Sequence, residues 1–108
     1  MKREAVGVVR IYLREAEHLL QPIEKLLREE GRVAGLTVLR AVEGFTGQRE
    51  KHSTFLVDLS LDLPLVVEFF DSPDRVDQLL ALLTERFNLP HIITWQADRV
   101  SAAVNPVS

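Results

Sequence analysis

The chain has 108 residues, 46% of them hydrophobic and 27% charged, with a formal net charge of −3. That length predicts one domain over residues 1–108, large enough to bury a core unaided. The weak acidity excludes general nucleic-acid binding, which needs a basic face. The absence of cysteine excludes disulfides, thiolate metal sites and thiol catalysis.

Met1-Lys2-Arg3-Glu4 leads into a strand-like run and lacks the long apolar region of a secretory signal. Val6 to Leu13 alternates, with Val9, Ile11 and Leu13 on one face and Val8, Arg10 and Tyr12 on the other, and reads as a strand, β1. Leu19, Ile23, Leu26 and Leu27 then recur at helical spacing. Pro22 lies near the first turn and Gly31 is the expected stop, so a helix, α1, is predicted over roughly residues 20–30. Its charges, Glu24, Lys25, Arg28, Glu29 and Glu30, read as a solvated face.

Leu36 to Glu43 predicts β2, followed by the Gly44-Phe45-Thr46-Gly47 turn and a polar run from Gln48 to His52. Ser53 to Leu59 alternates weakly, as a short strand or hairpin arm would. Leu65 to Asp71 is nearly continuous in apolar character and predicts β3, buried on both faces. The longest apolar run, Leu63 to Phe70, is broken by Pro64 and Glu68 and falls short of the roughly 18 residues that span a bilayer. A soluble, cytoplasmic protein with no membrane insertion is therefore expected.

Ser72-Pro73-Asp74 has the composition of a helix start: a cap, a proline in the first turn and an acid at the positive end of the dipole. Val76, Leu79, Leu80, Leu83 and Phe87 form one stripe of the helix that follows, α2, and Asn88-Leu89-Pro90 ends it. His91 to Ala97 predicts β4, and residues 101–108 read as a frayed tail.

The order β-α-β-β-α-β is that of the α+β, ferredoxin-like split βαβ sandwich, with two helices on one face of an antiparallel sheet ordered β4-β1-β3-β2. If Val9, Ile11, Leu13, Val67 and Phe69 face the helices, the other face carries Val8, Arg10, Tyr12, Val66, Glu68 and Phe70. From β2, the expected members of that second face are Val38, Arg40 and Val42. Such a face is too apolar for water, so a homo-oligomer that buries it is predicted.

These residues resemble a family. Arg10-Ile11-Tyr12-Leu13, Thr37-Val38-Leu39-Arg40, Gly44-Phe45 with His52, and Leu59-Ser60 with Asp62-Leu63-Pro64-Leu65-Val66-Val67-Glu68 resemble the PII-like group called domain of unknown function 190. The likeness runs from about Val8 to Ala97. It implies a ferredoxin-like trimer with adenine nucleotides in the clefts between subunits. It also implies a loop after β2 that contacts a partner, such as a transporter or enzyme.

Carried over by position, the ligand residues are Thr37, Gly44, Phe45, Thr46 and Glu68, and the exposed partner loop over residues 45–53 offers Gln48, Arg49, Lys51 and His52. Thr46 stands where the family usually has a second glycine, and Thr84 to Pro90 has no glycine before β4. Backbone cradles for phosphate favour glycine, so AMP or ADP is expected over ATP.

Glu68, a charge inside an apolar strand, calls for a partner: Arg10 or Arg40 at a subunit interface, or a ligand. His18, His52 and His91 lack metal-ligand spacing, and no metal is expected. No nucleophile elbow, P-loop or dinucleotide fingerprint occurs in the chain, so no enzyme is predicted. The rival readings are a ligand-free structural or partner-binding trimer and a metal-tolerance-like trimer.

Overall fold

The computed structural model describes residues 1–46 and 63–102. Gly47, the loop residues Gln48, Arg49, Lys51 and His52, the Ser53–Leu59 arm and the tail beyond residue 102 lie outside the described residues.

The elements are β1 (Lys2–Arg14), a 3-10 turn (Glu15–Glu17), α1 (Leu20–Lys25) widening into a π turn (Leu26–Glu30), β2 (Gly35–Arg40), β3 (Pro64–Asp71), α2 (Pro73–Arg86) and β4 (Ile92–Ser101). The strands form one antiparallel sheet ordered β2-β3-β1-β4, the ferredoxin-like order expected.

Period-two alternation on the central pair does the folding work. Val9, Ile11 and Leu13 of β1 and Leu65, Val67 and Phe69 of β3 all turn to one face and are almost fully buried. Ile23, Leu26 and Leu27 from α1 and the π turn, with Val76, Leu79 and Leu83 of α2, complete a single apolar cluster above that face. Leu80 and Phe87 flank it, so the stripe read from the sequence is the one that packs.

The helix ends differ from expectation in detail. Ser72 has the extended backbone of a cap, but its side chain makes no cap hydrogen bond. The neighbouring Asp71 carboxylate organises the corner instead. It accepts the Ser72 and Ala34 N–H groups at 2.7 and 3.1 Å and pairs with Arg75 Nε at 3.2 Å. Arg75 also donates to the Gly31 carbonyl, which fixes the end of α1 to the start of α2.

Gly31 is not the left-handed stop. Its φ is −74°, its N–H reaches back to the Leu26 carbonyl at 2.8 Å, and Arg32 takes the left-handed position at φ 47°. A Cβ on Gly31 would lie 2.6 Å from Leu79, so helix packing explains the glycine there.

Two further differences bear on function. β1 and β4 are longer than their apolar cores: Lys2↔Ser101 to Val6↔Ala97 continue past the end of β3 as a two-stranded arm. And β2 is turned over relative to expectation. Its register sets Thr37 against Glu68 and Leu39 against Val66, while Val38 lies against Val67 and Arg40 against Leu65. Val38 and Arg40 therefore belong to the helix side, and Val42 lies beyond the strand. A one-residue offset in register exchanges the faces of a strand.

Candidate functional site

The sheet face away from the helices is ordered in rows, because residues paired across antiparallel strands share a face. One row reads Leu39, Val66 and Tyr12; the next reads Thr37, Glu68, Arg10 and Ile93; the third reads Gly35, Phe70, Val8 and Trp95. A polar row thus runs between two mainly apolar ones.

Within the polar row, Arg10 Nε donates to Glu68 Oε1 at 2.7 Å, and the guanidinium lies 5.7 Å from the centre of the Trp95 ring. Glu68 first, and Tyr12 after it, raise the Arg10 pKa above its ordinary value, so the group stays cationic. Of the two partners foreseen for Glu68, Arg10 is the one it takes. Arg40 pairs instead with Glu15.

The third row owes its shape to Gly35. A Cβ there would fall 2.0 Å from the Phe70 ring, so the ring lies across bare backbone. Leu39, Ile93 and Trp95, all more than two-fifths exposed, extend the apolar surface to both edges of the sheet.

The residues carried over from the resemblance fall into two groups. Thr37 and Glu68 face each other across β2 and β3. Gly44, Phe45 and Thr46 lie at the mouth of the loop, where Gly44 takes φ 147°, a conformation that side chains resist, and stands close to Pro64. Pro64 is four strand residues from Glu68, about 13 Å along β3. One chain does not bring the two groups together.

The ends of the loop are nonetheless held. Ala41 N–H donates to the Pro64 carbonyl at 2.9 Å, and Glu15 N–H to the Leu63 carbonyl at 3.4 Å. The Arg40–Glu15 ion pair closes the same corner. Val42 and Phe45 project there as exposed apolar groups.

A cleft of about 400 Å³ opens between α1 and β2, on the helix side. Val33, Leu36 and Val38 line it, and the Glu24–Arg28 pair, 3.1 Å apart, stands at its rim. The sequence reading passed over it, taking Glu24 and Arg28 for solvated charges. Its signal was the apolar pair Leu36 and Val38, two apart on an edge strand. Among the described residues, no three His, Cys, Asp or Glu side chains are grouped to hold a metal. No helix among them is long and apolar enough to cross a membrane.

Comparison with known proteins adds three findings. Residues 6–99 match the family model of domain of unknown function 190, described as "Uncharacterized ACR". A UPF0166 protein of Aquifex aeolicus (strain VF5) is 35% identical over 80 residues, covering 74% of this chain and 81% of the relative. Among solved structures, CPII of Thiomonas intermedia K12 bound to ADP and bicarbonate superposes with a TM-score of 0.59 at 21% identity, over 91% of this chain and 89% of the other. The same protein bound to ADP, AMP and bicarbonate, described as a nitrogen regulatory PII-like protein, gives 0.63 at 15% identity, over 95% and 100%. At these identities the likeness to CPII speaks for the fold, which is that of the PII-like proteins.

Proposed function

Since the chain belongs to the domain of unknown function 190 family, we propose that it is a non-enzymatic, PII-like regulatory protein of the cytoplasm. It assembles as a closed oligomer, a trimer by family resemblance, built from copies of its one domain. A small effector, AMP or ADP before ATP, binds in the clefts between subunits. The loop after β2 carries the response to a partner protein, a transporter or enzyme, through Gln48, Arg49, Lys51 and His52.

The observation that carries this reading is the open sheet face. Apolar rows on both sides of an Arg10–Glu68 pair leave a surface that one chain cannot cover. A second copy covers it, and a self-complementary assembly needs no other protein to do so. The same assembly resolves the division of the ligand residues. Groups about 13 Å apart within a chain can meet across a subunit boundary, Thr37 and Glu68 from one side and Gly44, Phe45 and Thr46 from the other. The nucleotides bound by CPII support an adenine nucleotide as the effector.

Regulation then follows from differential affinity. A ligand that touches the mouth of the loop in one of its arrangements and not in another shifts the population toward the first. Arg40, Glu15 and Pro64 hold the ends, so a change at Gly44 to Thr46 is passed outward into the loop.

The test is a thermal-shift titration with AMP, ADP, ATP and cyclic AMP. A ligand at one hundred times its dissociation constant adds about 2.7 kcal/mol to the folded state. For a chain of this size that raises the melting temperature by roughly 10 °C. A saturable rise with AMP or ADP is expected, and a flat response to all four nucleotides would overturn nucleotide sensing.

A further inference from the structure

The sheet ends in two unpaired edges, β2 on one side and β4 on the other. Such edges are templates for another strand. Every neighbouring pair in this sheet is antiparallel, so three reversals separate β2 from β4. A second copy set alongside therefore presents its β4 antiparallel to the first copy's β2. This placement keeps the helices of both copies on one side and both open faces on the other. It is a head-to-tail contact, the kind that closes into a ring.

The register then fixes what lies beyond the paired edges. Along the sheet, Gly35 is in line with Phe70, Val8 and Trp95. The neighbour's β2 thus lies beside the first half of β4, and the arm of Ala97–Ser101 with Lys2–Val6 runs past it. Just ahead of β2 in that neighbour is the α1–β2 cleft, on the helix side. On the arm, the side chains directed to the helix side are Asp98 and Val100, the partners of Ala5 and Arg3.

The chemistry matches. Val100 is 49% exposed. The cleft offers the apolar wall of Val33 and Leu36, with the Arg28 cation at its rim. Asp98 is held only by an exposed contact with Arg3 at 3.6 Å. A two-stranded ribbon is marginal in water without something to lie against.

We infer that the arm of one copy lies in the α1–β2 cleft of the next, with Val100 against Val33 and Leu36 and the Asp98 carboxylate beside Arg28. This rests on the oligomer proposed above and names a contact that completes it.

The lack of cysteine allows a clean test by disulfide trapping. In a Val33→Cys, Val100→Cys double variant, β2 and β4 of one chain are three strand spacings apart, about 14 Å. Disulfides need Cα atoms within roughly 7 Å. Mild oxidation is therefore expected to give covalent multiples of the 12.3 kDa chain, reversed by reductant and absent from each single variant. Arg28→Glu or Asp98→Lys should slow trapping by roughly threefold, the scale of an exposed ion pair. The double exchange should restore it.

A sedimentation mass of a closed oligomer with no trapping would overturn the arm contact and leave the oligomer standing. Trapping of Val100→Cys alone would overturn it too, because the arms would then meet each other. A monomeric mass for the unaltered chain would overturn both readings. Should the cysteine variants fail to fold, the charge exchange decides. A fall in assembly in Arg28→Glu that Asp98→Lys restores supports the contact, and no coupling between the two overturns it.

Discussion

The two faces of the β1–β3 pair are made from the same kinds of residue and meet different fates. On the helix side, Val9, Ile11, Val67 and Phe69 are fully buried within one chain. On the other side, Val8, Tyr12, Val66 and Phe70 are only half-buried, and an Arg10–Glu68 pair is set among them. Composition distinguishes the faces poorly. The charged pair does so, because the helix-side core contains no such pair, while an interface tolerates one that is hydrogen-bonded. The difference teaches that one face stabilises the chain and the other is left for assembly.

The largest test of that comparison is Phe69→Ala. Phe69 is completely buried between the sheet and the helices. Truncating a core aromatic removes its transfer energy and leaves a cavity, about 3–5 kcal/mol together. Denaturant unfolding should show this loss at any protein concentration. A loss seen only at concentrations where the chain is assembled would place Phe69 in an interface and break the comparison.

Gly35→Ala comes next and acts on the open face alone. The new methyl group would lie within the Phe70 ring, which must rotate off the strand. Overpacking of this kind costs about 1–3 kcal/mol, here at the lower end because the ring can move toward solvent. The sharper expectation is for assembly. A displaced Phe70 disrupts the row with Val8 and Trp95, so the sedimentation mass should fall even where the melting temperature changes little. An unchanged mass would remove that row from the interface.

The same contrast explains what was legible in the sequence. On β1 and β3 the apolar residues that face the helices recur without interruption, so alternation alone assigned the faces correctly. On β2 it did not, because Leu36, Val38 and Leu39 are apolar on both sides of an edge strand. Only the hydrogen-bonded register shows that Thr37 and Leu39, and not Val38 and Arg40, share the face of Glu68. The arm was hidden for another reason. Lys2-Arg3-Glu4 and Asp98-Arg99 are poor strand formers by composition, and it is pairing with each other that makes them strand. Of the site, Thr37 and Glu68 were legible as neighbours, and the cleft beside β2 was not. Its wall comes from a helix and a strand whose packing no local pattern records.

The smallest effect on the isolated chain is expected at Leu39, and it is the most selective test. Leu39 and Arg40 are adjacent in β2, both about half exposed, and point to opposite faces. Leu39→Asp removes little buried area within the chain, so unfolding of the monomer should change by less than about 0.5 kcal/mol, as for ordinary surface substitutions. It does place a carboxylate beside Val66 in the proposed interface, where an unpaired charge is costly. Arg40→Gln breaks an exposed ion pair with Glu15, worth about 0–1 kcal/mol, and leaves the open face as it was. Sedimentation should therefore show a dissociated Leu39→Asp and an assembled Arg40→Gln. The reverse result would assign assembly to the helix side of β2 and overturn the open face as the covered surface.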